Sequence, residues 1–179
     1  MSEWRSVIVN PAAGMLSPAG QAGSLEWLAT GNGSMPTSTA WPAANLAIFF
    51  PLYVIEPVTI YRVSWENGAT ANGNIDVGLY EVGLNRLVNT GTVAQAGTST
   101  IQTADLADTT LKAGTYWGAI QGSATTITMA VNTGAAYRWR TASFAEQAVG
   151  SFGLPANATF AAYTRAFGLN VSYHFHNTV

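Results

Sequence analysis

At 179 residues the chain has the length of one domain, with room for a substantial core. It is 48% hydrophobic but only 9% charged, where an average soluble protein carries about 25% charged residues, and its net charge is −2. The few basic residues are scattered, which excludes an electrostatic footprint for nucleic acid, and the lack of cysteine excludes disulfides and thiolate metal sites.

The start, "MSEWRSVIVN", has acidic and polar residues where a signal peptide would have a basic stub and an apolar run, so no export address is expected. Residues 1–45 then differ from the rest. A strand is predicted from Trp4 to Val9, after which Pro and Gly recur too often for a long helix or regular strand. The presence of Trp4, Leu25, Trp27 and Trp41 in this stretch argues for an extended arm that becomes ordered on a neighbour, because a solvated linker would not carry such anchors. The sandwich domain is expected to occupy residues 46–179.

"LAIFFPLYVI" (46–55) is far shorter than the ~20 apolar residues that span a bilayer, and reads as buried sheet. "VTIYRVSW" (58–65) has the branched and aromatic composition of a strand and ends at the turn "ENGATANG". In "NIDVGLY" (74–80) the aliphatic residues Ile75, Val77 and Leu79 alternate with Asp76, Gly78 and Tyr80, so the two sets lie on opposite faces. A turn at 82–85 leads into "RLVNTGTV" and closes a hairpin. "TSTIQTADL", "KAGTYWGAI", "TTITMAV", "AAYRWR" and "GLNVSYHF" continue the series of short strands. Residues 142–166 have the poorest pattern and would hold a long loop or one short helix. So many strands with small-residue turns predict an all-β fold, an antiparallel sandwich of jelly-roll type with an extended N-terminal arm.

Chemistry-bearing residues are sparse. Asp76 is expected on a polar outer face, with Glu81 and Arg86 as an ion pair beside the hairpin turn. Asp105 and Asp108 are expected in a turn, where they cap their own backbone; a calcium site there would need more ligands than the two acids. Both histidines sit near the C-terminus, so a Ser-His-Asp site would have to recruit His174 or His176. These two share a strand face with Asn170 and Ser172, opposite Leu169, Val171, Tyr173 and Phe175. A solvated or interface pair is the simpler reading, and no metal or other cofactor is expected. Three copies about a three-fold axis would nevertheless pool these imidazoles on one metal, as in the iron-binding tips of contractile phage tail spikes, which the His-x-His resembles. "YRWR" sets Tyr137 and Trp139 on one face and Arg138 and Arg140 on the other. If the aromatics point outward they make a platform for sugar rings, and if inward they are core, leaving the arginines to clamp a neighbour's carboxylate. Tyr116 and Trp117 pose the same choice, and the "ENGATANG" loop is a further candidate for glycan contact.

The segment from "WPAANLAIFF" (41) through "NGATANGNIDVGLYE" and "DTTLKAGTYW" to about residue 122 resembles small β-sandwich structural proteins of tailed bacteriophage virions. The likeness covers nearly half the chain and transfers no catalytic residue. It implies a non-enzymatic virion component, a capsid decoration or head/tail appendage subunit, often trimeric, assembled in the host cytoplasm. The partners so implied are further copies of the chain and capsid or tail subunits, with no nucleic acid and no membrane. The alternative function is a carbohydrate-binding or receptor-binding module of a tail fibre that recognises a host-surface glycan.

Overall fold

The computed structural model describes residues 5–8, 22–27, 37–133, 144–165 and 167–177. Every regular element among them is a β-strand. The first five are β1 (Arg5–Ile8), β2 (Ala22–Trp27), β3 (Thr37–Ala40), β4 (Leu46–Val54) and β5 (Val58–Glu66). Next come β6 (Asn74–Glu81), β7 (Arg86–Asn89), β8 (Val93–Ala94), β9 (Ile101–Leu111) and β10 (Gly114–Gly122). The chain ends with β11 (Thr128–Thr133), β12 (Ala145–Ala148), β13 (Ala161–Ala162), β14 (Phe167–Leu169) and β15 (Val171–Asn177). The expected all-β sandwich is the fold.

One sheet has the order β1-β2-β15-β5-β9, a second β13-β12-β4-β10-β6-β7 with β8 also on β6, and a small third β14-β11-β3. All pairs are antiparallel except β1 with β2, which run parallel. Between the two large sheets lies the main core. Ile48, Phe50 and Leu52 of β4 and Val77 and Leu79 of β6 meet Ile60, Val63 and Trp65 of β5 and Tyr173 and Phe175 of β15. Each set occupies alternate positions of its strand except at Tyr61, where a bulge shifts the pairing of β5 with both neighbours. The extra residue resets the phase, so Val63 and Trp65 point inward as Ile60 does. Pro51 sits two residues beyond Phe49, where the described pairing of β4 with β12 ends, so among the described residues no ladder partner on that side needs its N–H.

Trp41, expected as an arm anchor for a neighbour, lies instead in the core of its own chain, 2% exposed, with its indole N–H donating to the Leu46 carbonyl at 3.0 Å. It packs flat against β10 because residue 122 is glycine; a Cβ there would come within 2.8 Å of the indole. Gly118 does the same for the Phe50 ring, its direct cross-strand neighbour. A Gly118→Ala substitution drives a methyl group into a ring that has no room to retreat. It should lower stability by ~1–3 kcal/mol, measured by urea unfolding, with the sheet structure retained in far-UV circular dichroism.

The second sheet departs from expectation on its far face. Asp76, Gly78 and Tyr80 do alternate with the aliphatic row, yet Asp76 is 1% exposed. Residues 149–160, within the stretch of poorest pattern, run across this face as a strap. Leu154 and Ala158 of the strap join Ala47, Phe49, Tyr80, Ala119 and Ala145 in a second apolar layer. Phe160 meets Trp117 edge-on, with ring centroids 4.7 Å apart.

Polar contacts hold the strap in place. The Asp76 carboxylate accepts from Asn89 Nδ2 at 2.9 and 3.0 Å, from Thr90 Oγ1 at 3.3 Å and from the Leu154 backbone N–H at 2.9 Å. Tyr80 donates its hydroxyl to the Pro155 carbonyl at 2.6 Å, and Gln121 Oε1 accepts from Gly153 N–H at 2.7 Å. Arg86 donates to the Leu154 carbonyl rather than pairing with Glu81, whose carboxylate takes the Asn85 amide. The expected turn-side ion pair is therefore replaced by two separate contacts, because the strap offers Arg86 a buried carbonyl.

Burial raises the Asp76 pKa above its ordinary value, while bonds from Leu154, Asn89 and Thr90 and the Arg86 charge pull it part of the way back. With the folded-state value above the unfolded one, the native protein binds the extra proton, and stability from this group falls as pH rises through the raised value. The stability of the wild type relative to Asp76→Asn should therefore be greatest in acid and decline towards neutral pH. Parallel urea titrations across that range would detect the trend, and a flat difference would refute it.

Candidate binding cleft

The outward face of the first sheet carries Ser64 and Glu66 of β5 and, on β15, Ser172, His174 and His176. These β15 residues share one face with Asn170, as the sequence alternation predicts, while Val171, Tyr173 and Phe175 are buried on the other. Ser64 is in register with Ser172 on one side and Thr103 of β9 on the other. Cross-strand partners lie side by side on one face, so three short side chains make a low row across the sheet. Larger residues rise on either side of it: Glu66, Ile101 and Asn170 at one end, His174 at the other. The depression has a volume of ≈ 230 Å³, and Trp65 and Val171 also contribute to its lining.

Its polar groups are ordered by one another. Ser64, 6% exposed, lies 2.6 Å from His174 Nε2. Asn170 Nδ2 donates to Glu66 Oε2 at 3.1 Å. Ser172 Oγ is buried with no hydrogen-bond partner. On the rim, Ile101 is 72% exposed. Next to the cleft Arg62 is neutralised by Asp105 at 2.8 Å, and its guanidinium carbon stands 5.8 Å from the centre of the Tyr61 ring.

The Ser64–His174 contact resembles the first half of a nucleophilic dyad, but its setting does not extend it to acyl transfer. β5 is hydrogen-bonded on both sides, to β15 and β9, so the backbone N–H groups around Ser64 belong to the ladders and are not gathered into an oxyanion hole. What the arrangement presents to the cleft is a set of hydroxyl, carboxylate, amide and imidazole groups.

Other sequence candidates fall elsewhere. Tyr137, Arg138, Trp139 and Arg140 lie outside the described residues, as does Trp4. The backbones of Leu25 and Trp27 belong to β2, in register with Tyr173 and Val171. Asp105 and Asp108 are not in a turn: both are exposed on β9, an eleven-residue strand in which Asp105 pairs with Arg62 and the β5 register resumes at Thr109, just after the irregularity that holds Asp108. His176 stacks on Tyr61, ring centroids 5.3 Å apart, while His174 turns to Ser64. Among the described residues no group of three or more His, Asp or Glu is placed to hold a metal ion, and no helix is long and apolar enough to cross a membrane. Tyr116 packs against the main core, whereas Trp117 faces the strap. In the "ENGATANG" loop Asn67 is buried, accepting from Trp65 Nε1 and donating to Gln102 and Ala96.

Ser64, Glu66, Ile101, Asn170 and Ser172 were not legible as a site, since only strand register brings them together. No protein-family model matches this sequence, and no curated protein matches it. Removing the hydroxyl in Ser64→Ala leaves a partly buried imidazole nitrogen without this partner and should lower stability by ~0.5–1.5 kcal/mol. Chemical denaturation would measure the change, and a stability equal to wild type would show that the contact contributes nothing.

Proposed function

We propose that this protein is a non-enzymatic structural subunit of a tailed-phage virion, a capsid decoration or head/tail appendage component. It would assemble as a homotrimer, through its N-terminal segment and its sandwich surfaces, in the host cytoplasm. The observation that carries this reading is how little the outer surface is adapted to water. Charged residues make up only 9% of the chain. Tyr53, Ile55, Val82, Leu87 and Ile101 are large apolar side chains standing exposed. An isolated soluble domain gains from a dense, mixed-sign charged surface, and this one lacks it.

Two routes to neighbours are consistent with the topology. β9 ends its sheet, and among the described residues it pairs only with β5, which leaves one long edge for strand addition. The N-terminal segment already supplies β2 beside β15 and β1 beside β2, so its backbone is suited to sheet pairing. Asp105 and Asp108 on β9 disfavour indiscriminate edge-to-edge aggregation and favour a chosen partner.

Light scattering on the purified full chain should return a trimer mass. A truncation lacking residues 1–36, which keeps β3 and Trp41, should remain folded and fail to associate or to decorate particles. A full chain that stays monomeric at high concentration and does not bind particles would sink the proposal, as would a truncation that assembles normally.

A further inference from the structure

The geometry points to the cleft between β5, β9 and β15 as a binding site for one neutral sugar residue. The inference does not depend on the assembly reading, because the site is complete within one chain. At ≈ 230 Å³ it is smaller than the ~300–1,000 Å³ of pockets for drug-sized ligands and suits a single ring.

The lining selects the chemical class. Glu66 can only accept hydrogen bonds as a carboxylate, the serine hydroxyls both donate and accept, and Asn170 carries one of each group. A ligand that satisfies this set must offer several groups that donate and accept at once, which is the property of vicinal hydroxyls. Ser172 adds an independent observation: its Oγ is buried and has no hydrogen-bond partner. A serine side chain turns about its Cα–Cβ bond between staggered positions, so a hydroxyl arriving in the cleft can meet that oxygen. On the rim, the exposed side chain of Ile101 offers an apolar surface for the C–H face of a ring.

Charge narrows the class further. Glu66 stands in the wall, and beside the cleft the Arg62 guanidinium is held by Asp105 and faces the Tyr61 ring. A carboxylated sugar would meet the like charge of Glu66, so the site takes neutral sugars in preference to uronic acids.

The test is a titration of the ¹⁵N-labelled full chain with glucose, galactose, mannose and N-acetylglucosamine, one at a time. At least one should shift the amide signals of Glu66, Ile101, Asn170 and Ser172 saturably, with a Kd of about 1 mM or tighter. Ser172→Val, which removes the unpartnered hydroxyl and fills the floor, should weaken that binding ~10-fold or more. Ile101→Ser alters only an exposed rim residue, so it reports on the site even if the first variant fails to fold, and it should weaken binding in the same direction. Glucuronic acid should bind less well than glucose. The proposal is overturned if none of the four sugars shifts these signals, if the shifts centre on Tyr53 and Trp117 instead, or if Ile101→Ser binds as the wild type does. A chain that fails to trimerise yet still binds sugar would separate this site from the assembly role.

Discussion

Asp76 is the point on which the second layer of the protein depends. A carboxylate that leaves water loses a large solvation energy and must be given donors in its place. Asn89 and Thr90 come from the neighbouring hairpin arm, but the Leu154 N–H comes from a segment far along the chain. Satisfying the acid therefore fixes where residues 149–160 cross the sheet. Once Leu154 is there, Tyr80 reaches Pro155, Arg86 reaches the Leu154 carbonyl, and Phe160 closes over Phe49 and Trp117. Polar contacts set the position and apolar burial supplies the attraction. The non-directional hydrophobic term alone could not have specified that register.

The strap also explains an imbalance between the two large sheets. The second has both faces covered by its own chain, one by the main core and one by residues 149–160. On the first, β5 and β15 place polar or small side chains on the outward face, and the bulge at Tyr61 is what keeps that segregation intact. Without the additional residue, strict alternation from Ile60 would turn Arg62 and Ser64 towards the core and Val63 and Trp65 outward. The low row of Ser64, Ser172 and Thr103 is a consequence of that correction.

Much of the fold could be seen in the sequence because strands announce themselves by a two-residue period. The β6 strand and β15 were legible by this alternation, Leu46–Val54 by its continuous apolar run and Val58–Glu66 by its branched and aromatic composition. Alternation separates the faces of a strand but does not say what covers each face. Asp76 looked solvent-facing because its cover comes from a stretch with no period of its own. Asp105 and Asp108 looked like turn residues because Asp favours turns locally, whereas pairing with β5 holds Asp105 and resumes at Thr109, so the strand continues past an irregularity at 106–108. The cleft was invisible for a related reason: Ile101, Ser64 and Ser172 belong to three strands, and register is set by the hydrophobic face opposite them.

The placement of the cleft separates ligand contact from association. Its floor lies on β5 and β15, which are interior strands of the sheet, flanked by β9 on one side and β2 on the other. Hydrogen bonding to a further strand happens at an edge and uses backbone groups, whereas a sugar would approach perpendicular to the sheet and use side chains. The two events draw on different atoms of the same sheet. Ile101 is the residue where they come closest, since it opens the edge strand and also forms the rim. A neighbour added along β9 would therefore leave the serines accessible while bringing its own backbone beside Ile101. Extending the sheet at β9 would lengthen the wall of the depression without filling it, so strand addition and ligand contact would not exclude one another.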